Sequence, residues 1–378
     1  MGNFGGPDWD AAQRAHRITP GWGPLYARRV LPTRKPELRV DALARGVPRS
    51  AVDTWEAPVR CVVLPPAPDY SGNIRLGPGG HGDEHGPYRW DIITRLRASW
   101  LISPHTVVAG WAAAALHGLP YWADSEPVVL LSSRTRRNAT GPSTAVFRTL
   151  KPGTPTDRAD PLFPQMRVLD AATATAQCLA TILQGKKTWH VPHVPGMDGK
   201  HVRAVQLIDA MYQCNFLTAR QILAAAHGIV DRRVLTRLLA MADEGAQSPM
   251  ETVLRLIVRD ELPDDHRWTS QVRINLADGT VGGDGGSWRA GGGARSTVPD
   301  LACETLGVAL YYDGRHHDEL AQTDTDFTLF QKLRGVGWEA VRVNRMLLAD
   351  LPELLEQLRA AVRRACEARA REMTAREA

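Results

Sequence analysis

Paired cysteines are missing from this chain. Its five cysteines stand singly along the sequence, and no two of them are spaced as CxxC (Cys61, Cys178, Cys214, Cys303 and Cys366). An odd number of isolated cysteines argues against a disulfide framework and against a zinc knuckle, and it favours a reducing compartment. We therefore expect a cytoplasmic protein.

Long apolar runs are missing as well. No segment approaches the roughly 18 apolar residues that cross a bilayer, and residues 1–16 contain no apolar stretch of the kind found in secretory signals. We expect no membrane partner. The 43% hydrophobic and 23% charged content is ordinary for a globular protein, and 378 residues are enough for two or three domains.

The charge balance is mildly basic. The formal net charge is +5 and the isoelectric point is near 9.1. This permits a polyanionic partner such as a nucleic acid, but an arginine-rich composition without such a partner explains it equally well. Both interpretations stay open on charge alone.

Changes in composition and periodicity divide the chain into three predicted parts. Residues 1–87 are rich in Gly, Pro and Trp and are expected to be partly irregular, residues 88–245 alternate helical and strand patterns, and residues 246–378 form a last domain. The Gly-rich stretch 278–296 is a flexible excursion by composition. We expect an α/β (α+β multidomain) protein whose last domain is a mixed sheet flanked by helices.

Local sequence patterns predict individual helices and strands. Ser103 and Pro104 indicate a capped helix over 104–118, and Ser248 and Pro249 indicate another over 249–262. Further helices are predicted over 94–102, 171–184, 203–214, 218–229, 231–243 and 351–373, and strands over 126–133, 144–150, 268–276 and 339–344.

Acidic side chains and imidazoles cluster in 298–317, VPDLACETLGVALYYDGRHH. Asp300 follows a proline near the start of an apolar strand, and a turn at 304–307 reverses the chain into the strand that ends at Asp313. An antiparallel pair would bring Asp300 close to Tyr311, Tyr312 and Asp313, where oxygen ligands suit Mg²⁺. Glu251 would reach the same place from its helix, and His317 would activate a water. Taken singly, Asp300 is more simply a turn-capping residue and the histidine a surface residue.

The region 248–344 resembles the DUF559-type endonuclease-like domains, which are related to the very-short-patch-repair endonucleases of the restriction-endonuclease-like PD-(D/E)XK superfamily. The residues that carry the resemblance are SPME (248–251), Gln271-Val272, PDLA (299–302), YDGRHH (312–317), Asp326 and GWEAVRV (337–343). The resemblance implies a nuclease-like fold with ancestry in DNA cleavage.

The resemblance also assigns roles residue by residue. Asp300 would be the principal metal ligand, Glu251 the acid of the first helix, and Asp313 the family's aspartate before the glycine turn. His317 would be the general base, with His316 as the alternative. Tyr311 departs from the pattern, because family members carry a glutamate there and a neutral phenol does not replace a carboxylate as ligand. In the patch-repair relatives a backbone carbonyl serves beside that position, which here is the carbonyl of Tyr312.

Residues 92–245 resemble the AbiEi-type antitoxin-like region that is often fused to such domains. The carriers are SPHTVVAGWAAAALHGL (103–119), the strand pair with RTRR (134–137), and RVLDAATATA (167–176). The basic turn Arg134, Arg136 and Arg137, together with Arg148 on the adjoining strand, would straddle a DNA backbone. A solvated hairpin tip is the competing interpretation of the same arginines.

Three functions follow as expectations. The first is a DNA endonuclease-like hydrolase that uses Mg²⁺ or Mn²⁺ in phage defence or DNA repair. The second is a catalytically inactive, DNA-binding regulator of the antitoxin type, with a toxin-type protein or a second copy of the chain as partner. The third is a protein-interaction module that pairs through the charged C-terminal helix.

Overall fold

The computed structural model describes residues 28–66, 88–133, 145–282, 296–313 and 328–377. These residues fall into two compact units. The first contains the described residues up to Trp189 together with Arg203–Ala242, and the second contains His190–Val202 and the described residues from Asp243 onward. Each unit combines helices with sheets, so the chain is a mixed α and β protein.

Two sheets organise the first unit. The smaller has the strand order β1-β3-β2 and is formed by β1 (Glu37–Leu38), β2 (Glu56–Val59) and β3 (Val62–Leu64). Two short helices, α1 (Arg39–Ala44) and α2 (Arg49–Val52), lie between β1 and β2. The larger sheet has the order β6-β5-β4-β8-β7 and mixes parallel and antiparallel pairs. Its strands are β4 (Val107–Ala109), β5 (Val129–Ser132), β6 (Val146–Thr149), β7 (Thr156–Asp157) and β8 (Arg167–Leu169).

Further helices lie between residues 92 and 240. They are α3 (Ile92–Ile102), α4 (Gly110–Leu116), α5 (Ala171–Leu183), α6 (Gly199–Asn215), α7 (Ala219–Ala225) and α8 (Arg232–Ala240). The helices predicted over 94–102 and 171–184 are confirmed as α3 and α5. Asp91 and Asp170 cap them by accepting backbone hydrogen bonds from their first turns.

The helix predicted over 104–118 is only half present. Ser103 ends α3 instead of starting a helix, and Val107–Ala109 form strand β4, which pairs with both β5 and β8. The helix begins only at Gly110, whose φ of +58° makes the sharp turn out of the strand. The adjacent valines stabilise a central strand more than a helical turn, since β-branched side chains pack well between neighbouring strands.

The second unit is built on one four-stranded sheet of order β14-β13-β12-β9. Its members are β9 (Thr269–Ser270), β12 (Leu301–Cys303), β13 (Val308–Asp313) and β14 (Glu339–Asn344), and a separate ribbon pairs β10 (Ile274–Asn275) with β11 (Ser296–Thr297). β12 and β13 are antiparallel, whereas β13 and β14 are parallel. The sheet is therefore mixed, as the sequence predicted.

Helices lie on both faces of this sheet. Helix α9 (Pro249–Val258) and the C-terminal helix α12 (Leu351–Glu377) pack on β13 and β14, and the short helix α11 (Arg345–Ala349) follows β14 directly. On the other face, Leu333 of helix α10 (328–335) joins Ala302, Ala309 and Trp338 in one apolar cluster. Within the described ranges, every helix is too short or too polar to cross a lipid bilayer.

The strand predicted over 268–276 is interrupted. Gln271 adopts a left-handed conformation, φ +55°, which separates β9 from β10. Such a conformation is unfavourable for a residue with a side chain, and it persists where surrounding contacts hold it. Those contacts lie at the two carboxylates described next.

Candidate carboxylate site

The turn between β12 and β13 sets the geometry of the site. Residues 304–307 reverse the chain, Gly307 has φ +74°, and its N–H donates to the carbonyl of Cys303 at 2.8 Å. A Cβ at Gly307 would lie only 2.9 Å from the carbonyl oxygen of Gly337, so a side chain does not fit there. This turn places Leu301 opposite Leu310 and carries Asp300 to the end of β13, as the sequence predicted.

Asp300 is fixed by the backbone of β13. The N–H of Tyr312 donates a hydrogen bond to Asp300 Oδ2 at 2.5 Å. The N–H and C=O of one strand residue point toward the same neighbouring strand, so the Tyr312 carbonyl faces the same edge as Asp300. The backbone oxygen that the resemblance nominates as a ligand thus lies on the same side of β13 as Asp300.

Glu251 reaches this edge from the first turn of α9. Ser248 caps the helix by accepting a hydrogen bond from the Glu251 N–H at 3.2 Å, with Pro249 at the first helical position, as predicted. Glu251 Oε2 accepts from the N–H of Gln247 at 2.9 Å and from the side-chain amide of Gln271 at 3.3 Å. The strained backbone of Gln271 therefore serves to orient this carboxylate.

The two carboxylates are close enough to perturb each other. Burial raises the pKa of Glu251 to about 8, and the charge of Asp300 adds to that rise. Burial also raises the pKa of Asp300 to about 6, against the hydrogen bond from the Tyr312 N–H. Both side chains still keep some exposed surface. A pair of partly desolvated carboxylates is a favourable place for a cation, which removes their mutual repulsion.

The hydroxyl of Tyr311 is engaged by a side chain outside the pair. Its hydroxyl shares a hydrogen bond with Thr297 Oγ1 at 3.1 Å, and its ring contacts Phe330 with the centroids 5.7 Å apart. Burial raises the pKa of its phenol, the Thr297 hydrogen bond opposes the rise, and the charge of Asp300 adds to it. The phenol therefore stays neutral and structural, so it does not stand in for the family's glutamate.

The remaining predicted residues divide into two groups. Asp313 forms an ion pair with Arg342, and Arg148 is exposed on β6. His316, His317 and Asp326, and the basic turn Arg134, Arg136 and Arg137, lie outside the described residues. Their predicted roles as base and as DNA contacts stay predictions.

No family model, no curated protein and no solved structure matches this chain. The likeness to DUF559-type and AbiEi-type regions thus stays a prediction based on the quoted motifs.

The oxygen donors of this site would suit magnesium better than zinc. Among the described residues no group of three or more His, Cys, Asp or Glu side chains is arranged to hold a metal. Glu251, Asp300 and the Tyr312 carbonyl supply oxygen donors only. Mg²⁺ is commonly held by one or two carboxylates and completes its shell with water and substrate phosphate, whereas structural zinc requires four protein ligands.

Sequence reasoning missed two contributors to the site. Gln271 was recognised only as part of a motif, and its contact with Glu251 depends on a backbone conformation that no sequence pattern marks. The resemblance points to the carbonyl of Tyr312 and gives no role to its side chain. Alternation along β13 was the available signal, since it places Tyr311 and Tyr312 on opposite faces of the sheet.

The raised pKa values predict how stability depends on pH when metal is removed. Both carboxyls hold their protons more tightly in the folded chain than in the unfolded chain. Their contribution to the stability of the folded chain is therefore complete at low pH. It is lost as the pH rises through about 6 for Asp300 and about 8 for Glu251. We expect the melting temperature in EDTA to fall between about pH 4.5 and 8, and MgCl₂ to restore it most at the alkaline end of that range.

Differential scanning fluorimetry in EDTA and in MgCl₂ measures this dependence. Glu251→Gln removes the group with the higher pKa and should flatten the profile in EDTA between about pH 6 and 8, where Asp300 is already ionised. The exposed aspartate of a neighbouring turn provides the control, because Asp278→Asn should leave the profile unchanged. If the melting temperature of Glu251→Gln fell as steeply with pH as that of the wild type, the raised pKa would not belong to Glu251.

Proposed function

We propose that this protein is a metal-dependent phosphodiester hydrolase that acts on DNA. The observation that carries the proposal is the pair of carboxylates, Glu251 and Asp300, held at one edge of a mixed sheet with the pKa of both raised. Paired carboxylates at such an edge are the arrangement that binds divalent cations in phosphoryl-transfer sites. The resemblance of 248–344 to nuclease-like domains supports the same chemistry, and the net charge of +5 is compatible with DNA.

The residues of the chain have separable tasks in this proposal. Glu251 and Asp300 would hold the cation, while the Tyr312 N–H fixes Asp300 and Gln247 and Gln271 fix Glu251. A divalent cation held there would offset the negative charge of the phosphate diester and orient it. His317 is the proposed base that takes a proton from the attacking water. We also propose that the unit has the restriction-endonuclease-like architecture and acts in phage defence or DNA repair in the cytoplasm.

One observation favours a second function. Tyr311 occupies the position where DUF559-type domains carry an acid, and its hydroxyl is engaged with Thr297. Within the part of the chain that the structure describes, the carboxylates of the site are therefore Glu251 and Asp300. An antitoxin-type, DNA-binding regulator would keep the nuclease-like scaffold, but it would not need the missing acid. In that case Arg148 and the basic turn would carry the binding, with a toxin-type protein or a second copy of the chain as partner.

Cleavage assays separate the two functions. Purified protein is incubated with supercoiled plasmid, linear duplex and mismatched duplex in MgCl₂, MnCl₂ or EDTA, and binding to the same duplexes is followed by gel shift. The hydrolase predicts nicked or linear products that require the metal. Intact DNA that is nevertheless shifted in the gel would support the regulator, and the absence of both cleavage and shift would remove both functions.

A further inference from the structure

The side-chain hydroxyl of Tyr312 is buried without a hydrogen-bond partner among the described residues. Hydroxyl groups that are shielded from water almost always find a partner, because an unpaired one keeps the full cost of its lost hydration. The neighbouring Tyr311, by contrast, has its hydroxyl satisfied by Thr297. The two adjacent phenols therefore differ in role. The Tyr311 hydroxyl is part of the packed structure, whereas the Tyr312 hydroxyl is available to a ligand.

The surroundings of this hydroxyl are those of the carboxylate pair. Burial raises the pKa of Tyr312, the positive charge of Arg345 opposes the rise, and the charges of Asp313, Asp300 and Glu251 add to it. The phenol carries one O–H group, which can donate one hydrogen bond. Tyr312 and Val343 are direct partners in the parallel pair of β13 and β14, and Arg345 follows β14 two residues later.

Arg345 supplies a charge that the site otherwise lacks. Its side chain is exposed and forms no ion pair with the described residues, whereas the nearby Arg342 is paired with Asp313. Two carboxylates repel a phosphate diester, and one divalent cation only balances them. An additional guanidinium beside the cation provides the net attraction and directional donors that phosphate oxygens require.

We propose that the Tyr312 hydroxyl and the Arg345 guanidinium form a subsite that binds a non-bridging oxygen of a DNA phosphate beside the Glu251–Asp300 pair. The proposal rests on the proposed function and names the groups that hold the substrate at that site. Tyr312 donates one hydrogen bond to the oxygen, and Arg345 contributes charge and a second donor. Both are positioning residues, and neither takes part in bond making.

Tyr312→Phe and Arg345→Ala test the subsite. Binding of a fluorescein-labelled DNA duplex is measured by anisotropy in MgCl₂ over a short time course, and cleavage of the same duplex gives KM and kcat. We expect Arg345→Ala to weaken binding about tenfold, the effect of one lost charge-assisted hydrogen bond, and Arg345→Lys to restore part of it. Tyr312→Phe should lower kcat about tenfold, as loss of an orienting contact does.

The neighbouring tyrosine provides a matched control. Tyr311→Phe removes a satisfied hydroxyl and should lower the melting temperature without changing DNA binding or kcat. Tyr312→Phe removes an unsatisfied one and should leave the melting temperature unchanged or higher. Arg363→Ala, at an exposed arginine on α12, controls for the loss of one positive charge.

Each outcome decides the subsite separately from the function. Weakened binding in Arg345→Ala but not in Arg363→Ala supports it. Tyr312→Phe and Arg345→Ala that bind and cleave as the wild type does would overturn it. A wild type that binds DNA in MgCl₂ but cleaves nothing rejects the proposed function, and the binding difference between Arg345→Ala and Arg363→Ala then decides the subsite alone.

Discussion

Asp300→Asn is expected to lower metal-dependent DNA cleavage by more than about 100-fold, since even residues that only orient a metal ligand contribute about 10- to 100-fold. Asparagine keeps the shape of the side chain and can still accept the hydrogen bond from the Tyr312 N–H. The substitution removes the negative charge alone, so its effect on cleavage isolates the charge that holds the cation. Time courses on supercoiled plasmid in MgCl₂ and MnCl₂ measure it.

The same substitution should not destabilise the metal-free protein. The charge of Asp300 raises the pKa of Glu251, so the two carboxylates oppose each other when no cation is present. Asp300→Asn removes that repulsion, and at pH 8 in EDTA its melting temperature should equal or exceed that of the wild type. A functional carboxylate is recognised when its removal abolishes cleavage but leaves stability unchanged or increased. Removal of a structural carboxylate would instead lower the melting temperature.

Glu251→Gln tests the second carboxylate of the pair, and Asp278→Asn is the control. Glu251→Gln should lose cleavage as Asp300→Asn does, while Asp278→Asn changes an exposed carboxylate of the same unit and should retain it. A copurifying nuclease would give equal activity in all preparations. Full activity in a well-folded Asp300→Asn protein would show that the hydrolytic centre, if there is one, lies elsewhere.

The backbone of the carboxylate site could be predicted from sequence because local rules determine it. Ser248 and Pro249 mark a helix start, which places Glu251 in the first turn, and the residues 304–307 mark the reversal that brings Asp300 to β13. Each of these signals acts within a few residues of the group that it positions. The fold class followed from the same kind of pattern.

The other features depend on contacts that local patterns do not contain. Val107–Ala109 became a strand instead of part of a helix because β5 and β8 lie on both sides of it. Gln271 accepts a left-handed conformation because Glu251 and the carbonyl of Asp300 hold it in place. Tertiary structure overrides intrinsic preference at such positions. The unsatisfied hydroxyl of Tyr312 is also a property of the packed site and not of the strand.

The buried pair of Arg97 and Asp160 predicts the largest effect on stability. Both side chains are 0% exposed, and the guanidinium donates to Asp160 from Nε at 2.7 Å and from Nη2 at 3.0 Å. Nη1 donates to the carbonyl of Pro32 at 2.5 Å, and the N–H of Leu162 donates to Asp160 Oδ1 at 2.9 Å. One ion pair thus joins α3 to two irregular segments that pack on it.

Asp160→Asn should lower the free energy of unfolding of the first unit by about 3–5 kcal/mol, because it leaves the guanidinium charged and unpaired in a dry interior. Urea titration followed by circular dichroism, fitted with one transition for each compact unit, measures the loss. Arg89→Gln is the control, since the exposed pair of Arg89 and Glu56 should contribute at most about 1 kcal/mol. The double variant Arg97→Met, Asp160→Leu should recover most of the lost stability, because it removes both charges together. If Asp160→Asn lowered the free energy of unfolding by less than about 1 kcal/mol, water would have to reach the guanidinium of Arg97, and the ion pair would not be buried away from solvent.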